Sequence, residues 1–264
     1  MTREKKYPKA TPHTDIEEIA PDVFFVRSKH AYTPGMLFLN RVMVIIRNKG
    51  ELTLVNSVRL TEAGETELKK LGEPKRVIRL GSLHGRDDEY YKKVFNAELW
   101  AIGKSDTYPK PEIDKVLKDG DDLPFPDSYL FVFQGSKLPE GCLLVRKSEG
   151  GILICCDSLQ HMADDRLYFN FPMTMISHML GLFKTPTVIG GPWLADATRE
   201  GESLQSEFER LLTLDFDQHI AAHGVVCKEN AKAEVQVAFD YVFKEEEDEG
   251  SSWWCGASST LGSF

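Results

Sequence analysis

Gly151-Ile152-Leu153-Ile154-Cys155-Cys156-Asp157-Ser158-Leu159-Gln160-His161 is the stretch that decides what this chain can fold into. Five apolar residues in a row, introduced by the turn signal Glu149-Gly150-Gly151, predict a short strand buried on both faces. A carboxylate at the end of so apolar a run requires a partner or a cap, because burying an unpaired charge is costly. Asp157 is therefore a candidate functional acid, with a turn-forming Asp as the plainer alternative. His161, four residues on, reaches the same cleft if the chain turns there; otherwise it is a loop histidine.

Working outward, Tyr129–Phe133 and Cys142–Arg146 are predicted as strands that lead into this one. Val23–Val26 and Leu37–Ile46 are β-rich, and Asn48-Lys49-Gly50 turns the second of these into Leu52–Val55, giving a three-stranded meander. Thr61–Leu71 carries acids in its first turn and Gly72 just past its end, the start and stop marks of a helix. Strand Val77–Leu80, helix Asp88–Phe95 and strand Glu98–Ile102 follow. After a Pro- and Asp-rich connection, 108–126, and the later strands, helices are predicted at Met173–Phe183, Leu204–Leu212 and Lys228–Phe243, with a short strand at His219–Ala222. Both halves run strands first and helices second, without an internal repeat or a clear linker.

The composition agrees with one folded domain: 264 residues, 42% hydrophobic, 10% aromatic. The net charge of -9 disfavours polyphosphate and anionic membrane surfaces as general partners, although five of the acids form the run Glu245–Glu249. The odd number of cysteines, five, and the absence of a CxxC pair indicate reduced, intracellular usage and no zinc knuckle. The segment Met1–Asp15 lacks the apolar core of a secretory signal, and no apolar run is long enough to span a bilayer. A cytoplasmic protein is expected. Neither a Gly-x-Ser-x-Gly elbow nor a phosphate-binding Gly-x-x-x-x-Gly-Lys loop occurs, so serine-hydrolase and nucleotide-hydrolase readings have no anchor.

Three loops at strand ends hold the residues that can do chemistry. They are Ser82-Leu83-His84-Gly85-Arg86-Asp87-Asp88-Glu89, Cys156-Asp157-Ser158, and Ala222-His223-Gly224. Each has a plainer reading: a solvated loop with an acidic helix cap for the first, a turn for the second, a core histidine for the third. Met173, Met175, Met179 and Leu182-Phe183 form an apolar helix face that core packing explains, or that walls a pocket. Gly190-Gly191-Pro192-Trp193 is turn-rich, with an aromatic that could line the cleft.

The order of these motifs is more specific than any one of them, and it resembles the metallo-β-lactamase fold family over about Val23 to Phe243. Leu52 to Ser57 resembles the family's early strand, which usually ends in Asp; Leu117 to Asp122 resembles its Asp-Gly-Asp segment. Gly151 to Ser158 resembles its apolar strand and bridging Asp, and His219 to Gly224 its closing histidine. The resemblance implies an α+β fold, a four-layer αββα sandwich of two mixed β-sheets flanked by helices. It assigns residues 19–244 to that domain, with 1–18 a flexible N-terminal segment and 245–264 an acidic, disordered tail in which Trp253-Trp254 could still dock.

The family's His-x-His-x-Asp-His motif aligns here with His84-Gly85-Arg86-Asp87-Asp88-Glu89, so His and Asp match while Arg86 and Glu89 replace two histidines. The loop that usually supplies a His after Pro-Gly is Gly135-Ser136-Lys137-Leu138-Pro139-Glu140-Gly141, without one. Four of seven usual ligand positions remain: His84, Asp88, Asp157 and His223. The resemblance thus implies at most one divalent ion, zinc by family habit, held by Asp88, Asp157, His223 and Glu89, with His84 a ligand or a proton donor and Arg86 balancing charge at the vacated site. A register slipped by one, using Asp87 and Asp88 and displacing His84, competes. The implied activity is hydrolysis of a small ester, lactone or similar bond by a metal-activated water, with Asp157 and His84 the catalytic pair. The alternative is a non-catalytic member whose cleft binds a ligand or acts as a scaffold. A single-iron oxidoreductase would be expected to keep more histidines, and nucleic acid is disfavoured for want of a basic stripe with interleaved aromatics.

Overall fold

The computed structural model describes residues 7–33, 36–146, 150–163 and 166–244. The acidic segment 245–264, with Trp253-Trp254, and Glu149 of the predicted turn lie outside the described residues. In the first half, β1 (Glu17–Ala20), β2 (Val23–Thr33), β3 (Leu37–Asn48) and β4 (Glu51–Val55) are joined antiparallel, and β5 (Glu73–Arg79), β6 (Glu98–Ala101) and β7 (Lys115–Val116) extend the sheet in parallel. The seven strands lie side by side in chain order. Lys49 and Gly50, at φ 51° and 81°, make the tight turn between β3 and β4, the positive-φ pair that matches the twist of a hairpin. The crossovers are α1 (Glu62–Leu71), capped by the Thr61 hydroxyl accepting from Gly64 N, and α2 (Asp88–Val94).

In the second half, β8 (Ser128–Val132), β9 (Gly141–Val145) and β10 (Ile152–Ile154) form an antiparallel set, and β13 (Gln218–Ile220) adds in parallel to β10. A two-stranded ribbon of β11 (Leu159–His161) and β12 (Thr187–Ile189) stands beside them. The helices are α3 (Phe171–Met179), α4 (Gly191–Ala197), α5 (Gln205–Leu212) and α6 (Ala231–Phe243).

Alternation along the strands builds the layers. Val23, Phe25, Val42, Val44 and Ile46 of the first sheet meet Leu130, Leu143, Val145, Ile152, Ile154 and Ile220 of the second in one apolar core. Their neighbours Phe24, Val26, Met43 and Ile45 face the other way, against Leu68 of α1 and Tyr90 and Tyr91 of α2. On the far side, Leu144, Leu153 and Cys155 face Trp193, Phe208, Leu211, Val235 and Phe239 of α4, α5 and α6. The order is helices, sheet, sheet, helices: the expected αββα sandwich.

Several local expectations change. Residues 7–18, expected as part of a flexible segment, are tied down: His13 pairs with Ser28 as an isolated bridge and bonds Thr61 Oγ1 at 2.9 Å, and Tyr7 packs edge-on against Tyr90. Gly191–Ala197 is a helix rather than a turn, since Pro192 suits its first turn, and Trp193 lies in the core 5.2 Å from Phe133 instead of lining the cleft. Helix α3 starts at Phe171, where Asn170 caps it, and ends at Met179; Met173 is buried, but Phe171 and Met179 are 76% and 84% exposed, so most of its apolar face meets solvent. His161 sits on a strand, its Nδ1 2.8 Å from Thr187 Oγ1.

Candidate metal centre

The site lies along one edge of the sandwich. Because β10 and β13 are parallel, the residues that follow them, Asp157 and His223, emerge at the same edge, and the loop after β5 brings His84 in from the other sheet. Asn56, held at φ 54°, fastens these pieces together: its amide donates to Cys155 O at 3.0 Å and its carbonyl accepts from Leu80 N at 3.2 Å. The uncharged amide serves as a brace between the two sheets.

His84 Nε2 lies 3.1 Å and His223 Nε2 3.5 Å from the same oxygen of Asp157, Oδ1, and the two imidazoles meet edge to face with centroids 4.9 Å apart. One donor atom from each of the three residues lies within 4.8 Å of the others. His223 Nδ1 is 2.6 Å from Asn40 O and donates to it, so Nε2 of the neutral ring is a lone pair facing a carboxylate oxygen. Two acceptors that face one another require a positive charge between them, either an ion or a second proton on the ring. Asn40 also brackets the backbone of Gly224, accepting from its N at 2.7 Å and donating to its O at 3.1 Å. Gly224 is at φ 93°, where a Cβ would meet His161 O at 2.0 Å, so only glycine lets the His223 loop turn this closely.

Burial opposes the charge on Asp157, yet the two imidazoles hold its carboxyl far below the usual carboxylate range. His84, buried and with no hydrogen-bond partner for Nδ1 among the described residues, is pushed down to about 4 by burial against the pull of Asp157 and is a neutral imidazole at pH 7. His30, on β2 beside the site, is pushed down to about 2, first by burial and then by Arg41, with His223, Arg86 and His84 adding to the effect.

Asp88 and Glu89, expected as ligands alongside these, do not join either group of gathered donor atoms found among the described residues. Asp88 is fully buried and turned to Arg79 at 3.4 Å and to the Ser57 hydroxyl, which donates at 2.8 Å; burial pushes its carboxyl up to about 6. Glu89 is half-buried in the first turn of α2. Asp87, the acid of the slipped register, pairs with Arg41 at 3.3 Å. The reason is local: a β-strand arginine stands opposite each of Asp87 and Asp88, so the charges of these two acids are balanced inside the protein without an ion. Arg86 is half-buried and within electrostatic reach of His30.

Sequence reasoning missed two residues. Glu140 and Cys156 form, with Asp157, the second group whose donor atoms lie within 4.8 Å of one another. Glu140 is 1% exposed, accepts from Ser158 N at 2.8 Å, and has its carboxyl pushed well up by burial and by Asp157. The signal was present as an acid in the loop searched only for histidine, and as a cysteine next to the candidate Asp.

Neither a protein family model nor a curated protein sequence matches the chain. Solved structures do. The metallo-β-lactamase DIM-1 aligns with a TM-score of 0.59 at 12% identity, over 87% of this chain and 99% of that one. The fold is that of the metallo-β-lactamases. A metallo-β-lactamase from Pontibacter korlensis aligns at 0.58 with 10% identity, over 86% and 98%. The enzyme FIM-1 from Pseudomonas aeruginosa, in a mono-zinc form, aligns at 0.56 with 8% identity, over 89% and 97%. At such identities the likeness to metallo-β-lactamases is one of fold, and the chemistry of this chain rests on its own residues.

Proposed function

We propose that this chain is a metal-dependent hydrolase of a small ester, lactone or similar bond, with a divalent ion held by His84, Asp157 and His223. The observation that carries the reading is the convergence of two imidazoles on one oxygen of a buried, ionised aspartate from three separate loops. Two nitrogens and a carboxylate suit zinc and leave a coordination position open. When bound, such an ion lowers the pKa of a water to about 7 and polarises the bond under attack. The chain's own contribution is positional. Asn40 holds the proton on His223 Nδ1 and so presents Nε2 to the site; Asp157 stays anionic between the rings; His84 keeps a buried Nδ1 without a hydrogen-bond partner among the described residues. Arg41 and Arg79 neutralise Asp87 and Asp88, so these acids do not compete for the ion.

The test is metal analysis of the full chain purified without chelator, together with a panel of chromogenic esters and lactones. Zinc is expected to co-purify, and Asp157→Ala or His223→Ala to lose that ion and to lower hydrolysis by at least about a hundredfold. Unchanged metal content in both variants overturns the assignment. A second reading, a non-catalytic ligand-binding or scaffold module, is favoured by the two arginine–aspartate pairs at the first loop, which balance its acids without an ion; protein free of metal and inert on every substrate supports that reading.

A further inference from the structure

Asp157 divides its carboxylate between two environments. Oδ1 faces His84 and His223, whereas Oδ2 faces Cys156 Sγ at 3.9 Å. On that second side Glu140, 1% exposed, and Cys156, 0% exposed, come together with Asp157 so that a carboxylate oxygen from each acid and the sulfur lie within 4.8 Å of one another. A thiol and two carboxylates, all buried, are an unusual association: apolar cores do not gather acids, and a structural cysteine ordinarily packs as a small hydrophobe. The chain makes room for them. Gly81, at the end of the strand that leads to His84, lacks the Cβ that would meet Glu140 Oε2 at 2.4 Å and Cys156 Sγ at 2.6 Å. The isolated bridge between Gly81 and Glu140 fixes this approach from the backbone side.

We propose that Glu140, Cys156 and Asp157 form a second cation site, which takes a borderline divalent ion such as zinc or cobalt through a thiolate and two carboxylates. The donor set suits such an ion, because sulfur disfavours magnesium and calcium while carboxylates disfavour purely soft ions. Binding displaces the thiol proton to solvent and leaves the sulfur as an anionic ligand. The site shares only Asp157 with the histidine centre, and Asp157 can offer a different oxygen to each ion. It goes beyond the expectation of at most one ion, in which Glu140 and Cys156 had no part.

The experiment uses the full chain, stripped with chelator and titrated with cobalt(II) while near-ultraviolet and visible absorption are recorded. Two cobalt ions per chain and a sulfur-to-cobalt charge-transfer band are expected. Cys156→Ser should abolish that band and one equivalent of cobalt; His223→Ala should keep the band and lose the other equivalent. Glu140→Gln, nearly isosteric and checked for folding by circular dichroism, should weaken the band-forming cobalt by about tenfold or more. Cobalt bound without the band, a band that persists in Cys156→Ser, or unchanged affinity in Glu140→Gln overturns the proposal and leaves the histidine centre standing. One cobalt with a band that ignores His223→Ala supports this site and counts against the histidine centre. No cobalt bound at all overturns both.

Discussion

His219 shows how far a single side chain can depart from what its type suggests. It is wholly buried on β13, neither ring nitrogen has a hydrogen-bond partner among the described residues, and burial, followed by the field of His161, pushes its pKa from 6.5 down to about 3. The folded state therefore binds its proton less readily than the unfolded chain. Its contribution to stability is complete above pH 6.5 and is lost as pH falls toward 3, at up to about 1.4 kcal/mol per pH unit. His219→Leu removes the titration without orphaning a partner. Thermal unfolding from pH 7 to 5 should show a shallower fall in Tm for the variant than for the parent chain; parallel slopes would refute the assignment. From the sequence, His219 was only one residue of a short strand. Nothing in its neighbours along the chain separated it from His223, four positions on, whose Nδ1 finds Asn40 O.

At the scale of elements, the periodic stretches were legible and the short ones were not. Strands β2 to β6 of the first sheet and helices α1, α5 and α6 follow from alternation, capping and apolar spacing that the chain carries locally, whereas β1 and β7, four and two residues long, do not. Strands β11 and β12, three residues each, exist because they pair with one another across an intervening helix, α3, and three residues carry too little periodicity to announce themselves. Helix α3 is held at its start. Asn170 accepts from Met173 N and from Phe38 N of β3, and its side-chain amide donates to Met36 O at 2.7 Å. Asn170→Ala should cost about 1 kcal/mol or somewhat more, the size of a lost cap, as measured by denaturant unfolding. An unchanged midpoint would show that the cap does not hold this helix.

Across the molecule, buried ion pairs join the sheet to the helix that follows the first site loop. Arg79 on β5 reaches Asp88 at 3.4 Å and also donates to Tyr108 O and Gly103 O, and Arg41 on β3 reaches Asp87 and Ser57 O. Removing one partner of a buried pair is worse than never having had it. At pH 8, above the value of about 6 to which Asp88 is raised, Arg79→Leu should cost about 3–5 kcal/mol. The double variant Arg79→Leu/Asp88→Asn should cost less than that single one, as measured by urea unfolding. Additive costs would mean the pair is not coupled. This arrangement also explains why Asp88 looked like a ligand from the sequence. An acid at the right offset from a histidine is visible in one dimension, while the arginine that claims it lies nine residues upstream on a strand and is paired only by folding.

The sequence by itself determined the longer strands and helices, because alternating and continuous apolar patterns are local, and the order of its motifs carried the resemblance that implied the αββα layers. It also marked His84, Asp157 and His223 as residues standing where strands stop. Only the tertiary structure decided which of the marked residues meet. Convergence depends on which strands run parallel and on which charges are already balanced, and neither is written in spacing along the chain. So Asp88 turns to Arg79, while Glu140, an ordinary residue in its own neighbourhood, arrives beside Cys156 and Asp157.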